Sequence, residues 1–385
     1  MIDKTIAEKF RKLPTPFYYY DLDVLNETLK NIQKEATATG FKIHYAVKAN
    51  FNPRILRIIS SYGFGADCVS WNEINAAVKE GFNPSEIVYA GVGKTDNEIN
   101  AAIDVGIYCF NCESVPEIEV IDQLAGKKGK IARIALRINP LIEAHTHKYI
   151  TTGIEESKFG MYTWVLDEVL KKLATLNNVK LSGIHFHIGS QITKMSVFQS
   201  LCAHVNELRD WFVTRNIELE YLNLGGGLGI DYENPDNQPL FSEYFSLIRE
   251  FIKTNPGLEL HFEPGRSVVG QCGSLISKVL YVKNGHNTRF AIIDAGMTDL
   301  LRPALYQAYH KIENLTSEGA IEKYDVVGPV CESADIFGKF IELPETRRGD
   351  IIAIRSAGAY GEVMASRYNL RDLPGAVFSD ELTLD

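Results

Sequence analysis

One rhythm constrains this chain more than any other feature. Short β-rich apolar runs alternate with longer amphipathic segments from about residue 41 to about residue 265. The runs FKIHYAV (41–47), FGADCV (64–69), EIVYA (86–90), IYCFN (107–111), IARIALRI (131–138), LSGIHFHI (181–188), LEYLNL (219–224) and LELHF (258–262) read as strands. Between them, NPRILRIISSYG, NEINAAVKEG and DNEINAAIDVG have helical periodicity and close on Gly, as a helix C-terminus favours. Strands separated by helices pair in parallel through crossovers. Eight strand–helix units are the number that closes a barrel, so the expectation is an α/β fold with a (β/α)8 TIM-type barrel over residues 24–265. A doubly wound open sheet shares this periodicity and competes with it.

After residue 265 the texture changes. SLISKVLYVKN, TRFAIIDAG, KYDVVGPV, KFIELP and DIIAIRSAG are strand-like and separated by Gly, Asn and Asp turns, with one short helix expected in TDLLRPALYQAY. This predicts a mostly antiparallel β-domain formed by residues 1–23 and 266–385, with TPFYYYDLD (15–23) as a candidate strand in it. A net charge of −9 disfavours nucleic acid or an anionic membrane surface as the main partner. No apolar run of about 18 residues exists to span a bilayer. The start, MIDKTIAEKFRKL, lacks the apolar core of a secretory signal, and six cysteines in 385 residues are too sparse for a disulfide scaffold. The cytoplasm is the expected compartment.

Barrel chemistry gathers where strands end. The first strand ends YAVKAN, which puts Lys48 where the apolar run stops. Partial desolvation there would lower an amine's pKa and suit it to Schiff-base chemistry; the plainer alternative is a snorkelling or ion-paired lysine. The sixth strand ends HFHIGSQ, with His185 and His187 sharing one strand face, and His145 and His147 repeat the spacing. Metal ligation is possible for such pairs, but a satisfied or ring-stacking core histidine is the simpler reading, and no metal is expected. The seventh ends LNLGGGLGI. Gly225, Gly226 and Gly227 allow close backbone approach to an anion, although a tight turn also needs glycine. The eighth ends HFEPGRS, where Glu263 could hold a proton on a ring nitrogen and Arg266 could clamp a carboxylate, or the two could pair with each other. Cys109 and Cys112 form an isolated C-x-x-C, read as incidental. In the β-domain, CESAD places Cys331, Glu332 and Asp335 after VVGPV, and SAGAYG sets Tyr360 between small residues.

YAVKAN, HFHIGSQ, GGGLGI, EPGR, GPVCESAD and SAGAYG occur in that order across nearly the whole chain. Together they resemble the diaminopimelate decarboxylase family, whose pyridoxal-phosphate fold is shared with alanine racemase and ornithine decarboxylase. The resemblance implies a barrel with a β-domain, pyridoxal 5'-phosphate as cofactor, and a head-to-tail homodimer whose active sites are shared between chains. It implies that Lys48 carries the cofactor and that His187 stacks on its ring. Gly225, Gly226, Gly227, Gly265 and Ser190 contact the phosphate, with Tyr360 closing from the β-domain. Glu263 pairs with the ring nitrogen, and Asp67 lies near the ring or the lysine. Arg266, Arg302 and Tyr306 hold the far end of the amino-acid substrate. Glu332 and the proton donor Cys331 come from the second chain. The activity so implied is decarboxylation of meso-2,6-diaminopimelate to L-lysine, the last step of lysine biosynthesis. The alternatives are decarboxylation of a related basic amino acid or of carboxynorspermidine, a catalytically idle cofactor-binding homologue, and a metal-dependent hydrolase built on His185 and His187. One departure stands out: Trp71 and Asn72 occupy positions where the family usually has glycines.

Overall fold

The computed structural model describes residues 2, 4–141 and 158–382; His145 and His147 fall outside them. The chain divides into two compact units. One comprises Leu29–Gly229 and Leu240–Gly265, the other Met1–Thr28, Ile230–Pro239 and Arg266–Asp385.

The chain's first strand, β1 (Phe17–Tyr20), belongs to the second unit. The first unit then contains β2 (Lys42–Ala46), β3 (Gly65–Cys68), β4 (Ile87–Tyr89), β5 (Cys109–Cys112), β6 (Ala132–Arg137), β7 (Val179–His185), β8 (Tyr221–Asn223) and β9 (Glu259–Phe262). They close in sequence order, β2 against β9, and every pair is parallel. This is the barrel that the strand–helix rhythm predicts, and the open sheet is excluded. The local causes are visible. Asn52 caps the helix Pro53–Ser60 by accepting from Arg54 N, and the helix buries Ile55, Leu56 and Ile59. Thr95 and Glu98 form a reciprocal cap on Asp96–Val105, which ends on Gly106 at φ 75°. Trp71 and Asn72 open the helix Trp71–Lys79, which Ser70 caps at Glu73 N, so ordinary side chains suit those positions.

Two differences from the expected strands bear on residues singled out in the sequence. The strand expected over 181–188 is Val179–His185, so His187 lies beyond it and does not share a strand face with His185. Cys109 and Cys112 both lie within β5, buried, with Sγ atoms 3.6 Å from the Phe110 carbonyl. The odd spacing sends their side chains to opposite faces.

The second unit carries β10 (Gly273–Asn284), β11 (Arg289–Ile293), β12 (Ile312–Asn314), β13 (Ile321–Val327), β14 (Ile336–Pro344), β15 (Ile351–Ile354) and β16 (Gly375–Phe378). The order is β12-β15-β10-β11-β13-β14, with β1 paired to β10 and β16. Only β1–β16 and β11–β13 are parallel, so the sheet is mostly antiparallel. The helix Lys4–Phe10, absent from the sequence reading, buries Phe10 against Phe17, Tyr19, Ile276 and Ile351. No helix among the described residues is long and apolar enough to cross a membrane.

Candidate active site

At the C-terminal end of β2 the chain makes one tight turn, Val47–Ala49, that carries Lys48. Its Nζ donates to Asp67 Oδ2 of β3 at 2.9 Å. Asp67 is fully buried and its Oδ1 has no hydrogen-bond partner. Burial raises the Asp67 pKa and nearby Glu263 adds to the rise, while Lys48 opposes it.

Glu263 follows β9 directly and is buried. Its Oε2 accepts from His185 Nε2 at 2.8 Å, and its Oε1 accepts from Asn223 Nδ2 at 2.7 Å and Asn111 Nδ2 at 3.2 Å. Burial alone would oppose ionisation. The His185 contact and the Lys48 charge outweigh it and hold Glu263 well below the usual carboxylate range. Since the carboxylate only accepts, His185 carries its proton on Nε2 and its buried Nδ1 has no partner. Burial, with the Lys48 and Arg137 charges, pushes His187 well below the usual imidazole range. Arg137, at the end of β6, is fixed by Glu113 at 2.6 Å.

The glycine run has a packing cause. A Cβ on Gly225 would lie 2.1 Å from the Phe186 carbonyl oxygen, and one on Gly226 would lie 2.2 Å from that of Glu263. Gly225 also sits at φ 69°. Its N–H is already bonded to Asn223 Oδ1 at 2.9 Å. Among the described residues, the N–H groups of Gly226, Gly227 and Gly265 have no acceptor. Ser190 lies in the loop after β7. The barrel end thus offers an amine paired to a buried carboxylate, a second carboxylate kept ionised, orphaned buried acceptors and open peptide N–H groups. That set fits a phosphorylated, ring-nitrogen-bearing aldehyde such as pyridoxal phosphate.

The second unit holds the other predicted residues. Arg266 and Arg302 are each 5% exposed, and both donate Nη1 hydrogens to Tyr232 Oη, at 2.6 and 2.8 Å. The Arg266 guanidinium lies 4.9 Å from the Tyr360 ring centre. Tyr360 itself has φ 56°, and a Cβ on the following Gly361 would lie 2.3 Å from the Ala357 carbonyl oxygen. Tyr306 ends the helix Arg302–Tyr306 and is half-buried. Cys331 and Glu332 form a separate, exposed set. The Cys331 N–H donates to Asn369 Oδ1 at 3.4 Å, and Glu332 Oε1 accepts from Tyr368 at 2.7 Å. Asp335 is structural, accepting from the N–H groups of Met297 and Val330. The sequence reading missed Asn111, Asn223, Tyr232 and His310, and it offered His185 no carboxylate partner. A polar residue near the end of an otherwise apolar barrel strand was the available signal for the two asparagines.

A lysine and a buried, ionised glutamate at the end of a parallel barrel define a class. A family model described as "Pyridoxal-dependent decarboxylase, pyridoxal binding domain" matches residues 22–270, and the chain belongs to that family. A diaminopimelate decarboxylase of Bacteroides thetaiotaomicron is 58% identical over 97% of this chain and 98% of its own length. One of Aquifex aeolicus is 40% identical over 96% and 86%. The crystal structure of the Helicobacter pylori diaminopimelate decarboxylase complexed with L-lysine matches with a TM-score of 0.90 at 40% identity, covering 96% of this chain and 93% of that one. Within the pyridoxal-dependent decarboxylases, the chain belongs to the diaminopimelate decarboxylases.

Proposed function

We propose that this chain uses pyridoxal 5'-phosphate to decarboxylate meso-2,6-diaminopimelate to L-lysine and carbon dioxide. The observation that carries the reading is Glu263, buried, held ionised by His185 and the Lys48 charge, and hydrogen-bonded by Asn111 and Asn223 in the barrel whose first strand runs out at Lys48. A buried carboxylate kept charged is what retains a proton on a basic ring nitrogen. The near-full-length relatives named diaminopimelate decarboxylase support the substrate.

When bound, the cofactor supplies an electron sink for the electron pair left as carbon dioxide departs. Lys48 holds it through Nζ, and Asp67 orients that amine. Glu263 would keep the ring nitrogen protonated. His187, held neutral by its surroundings, would stack on the ring. The open N–H groups of Gly226, Gly227 and Gly265, with Gly225, Ser190 and Tyr360, receive the phosphate. Arg266, Arg302 and Tyr306 bind the substrate carboxylate that is retained. The substrate is an amino acid with a second amino-acid end, so a carboxylate clamp discriminates against diamines and monocarboxylates that lack that group. The enzyme works as a cytoplasmic homodimer with shared sites. In it, Glu332 of the second chain binds the distal ammonium, and Cys331 Sγ of that chain delivers the proton that replaces the lost carboxylate. Its thiol is exposed and suited to that task.

The test is carbon dioxide release by purified protein with added cofactor, from diaminopimelate beside ornithine, arginine, lysine and carboxynorspermidine. Release from diaminopimelate alone, with L-lysine as co-product, supports the reading. Release from another substrate overturns the clamp but keeps the chemistry. Bound cofactor with no release from any of them identifies an idle homologue.

A further inference from the structure

Arg302 is a buried cation with an unusual set of partners. Its Nη1 donates to Tyr232 Oη at 2.8 Å and to His310 Nε2 at 2.9 Å. Both hydrogens of that nitrogen are therefore spent, and both acceptors are uncharged in their ordinary forms. Among the described residues no carboxylate pairs with Arg302, and its Nε–Nη2 edge donates to none of them. A buried guanidinium without a counter-ion is costly unless an anion arrives. The Nε–Nη2 edge is one of the two planar forks that receive a carboxylate through parallel hydrogen bonds.

We propose that Tyr232 and His310 are positioning residues for substrate selection: together they fix the Arg302 guanidinium so that its Nε–Nη2 edge is the one offered to the retained carboxylate. The inference deepens the diaminopimelate reading and rests on it.

The two partners are themselves held. His310 is 1% exposed, and its Nδ1 lies 2.9 Å from the Arg355 carbonyl oxygen. Nε2 must accept from Arg302, so the proton sits on Nδ1 and is donated to that carbonyl. Burial and the Arg302 charge push the His310 pKa down to about 3, which keeps the ring in this neutral, accepting form. Arg355 is in turn anchored by Glu313 Oε2 at 2.7 Å and Asp236 Oδ1 at 2.9 Å. Asp236 and Tyr232 both come from the short segment Ile230–Pro239. Gln271 ties that segment down by donating to the carbonyls of Pro235 and Asn237.

Tyr232 does a second task. One phenol oxygen accepts from both Arg266 and Arg302, so two like-charged groups are held on one atom instead of drifting apart. The two guanidinium charges outweigh burial and pull the phenol below its ordinary pKa. The Tyr232 and His310 rings meet edge to face, 5.0 Å between centres, which fixes the phenol's direction.

The test compares L-lysine, which keeps the clamped carboxylate, with 1,5-diaminopentane, which lacks it. Equilibrium binding of each to the holoenzyme is measured by calorimetry, beside kcat and KM for diaminopimelate. Tyr232→Phe keeps the ring and removes the oxygen. The expectation is about ten-fold weaker L-lysine binding, with diaminopentane binding changed less than about two-fold. KM should rise more than kcat falls, and the cofactor's visible absorption should be unchanged. His310→Gln retains an acceptor and should keep most of the preference, whereas His310→Leu should lose it. Wild-type L-lysine affinity in Tyr232→Phe overturns the inference, as does equal weakening of both ligands, which would mark a merely structural role. Failure of the underlying reading looks different: the wild type would show no preference for L-lysine, and Arg302→Gln would change nothing.

Discussion

Asn223 is the residue whose removal separates the reading of this site from a purely structural one. Its side chain, fully buried at the end of β8, donates through Nδ2 to Glu263 Oε1 at 2.7 Å and accepts through Oδ1 from Gly225 N at 2.9 Å. One amide therefore fixes both the carboxylate proposed for the ring nitrogen and the first glycine of the proposed phosphate run. Asn223→Ala removes a hydrogen bond to a charged group, worth about 2 kcal/mol, and a neutral one worth about 1 kcal/mol. A loss of about 3 kcal/mol lowers the melting temperature by roughly 6–12 °C in a unit of this size. Cofactor affinity should fall about ten-fold or more, because two contact groups lose their anchor at once. Asn111→Ala is the internal comparison. It touches Glu263 only, through a longer bond of 3.2 Å, and leaves Gly225 alone. Its effect should be smaller in both measurements. The assays are thermal unfolding without cofactor and titration of cofactor followed by visible absorption. If Asn223→Ala melts lower yet binds cofactor with wild-type affinity, the bridge serves only the barrel and the argument fails.

Three further outcomes are expected. Burial pushes His261 down to about 2 and His310 down to about 3, so the unfolded chain binds protons below about pH 6.5 that the folded chain refuses. Stability therefore falls as pH drops from 6.5, by about 1.5 kcal/mol per histidine on reaching pH 5, and His261→Gln should flatten that slope in denaturant titrations. Gly226→Ala should cost about 3 kcal/mol and cofactor binding together, because its Cβ would lie 2.2 Å from the Glu263 carbonyl oxygen; an unperturbed melting curve would contradict the packing. Mixing inactive Lys48→Ala chains with inactive Cys331→Ala chains should restore about a quarter of wild-type activity if sites are shared in a two-fold dimer. No recovery after verified subunit exchange would refute sharing.

The barrel was legible because its signal is repetitive. Each strand–helix unit restates the same period change, and caps such as Thr95–Glu98 mark the helix starts locally. The N-terminal helix Lys4–Phe10 was not, since its seven residues hold too few turns to show a period. Its order comes from Phe10 packing on Phe17 and Tyr19 at ring distances of 5.4 and 5.0 Å, contacts made only after the sheet forms. The strand that was expected to reach residue 188 stops at His185, because apolar composition continues through Phe186 and Ile188 while the β7–β8 ladder ends at His185 and Asn223.

The site shows the same division between local and long-range information. Lys48 and Glu263 announce themselves, since each is a charged residue placed where an apolar strand ends. Asn111 and Asn223 do not, because asparagine near a strand end reads as a turn former. Only closure of the barrel brings Asn111 to a carboxylate 152 positions later. Tyr232 is a harder case still. It sits among Asp, Glu, Asn and Pro in a segment that looks like loop filler, and its partners lie 34 and 70 positions away. A motif can name the groups that touch a ligand, because their chemistry restricts the residue type. The groups that aim them are restricted only by geometry, and geometry is set by contacts that no local window contains. Arg302 makes the point: the resemblance proposes a guanidinium for the clamp, but which of its edges is left open depends on a phenol and an imidazole that the fold alone delivers.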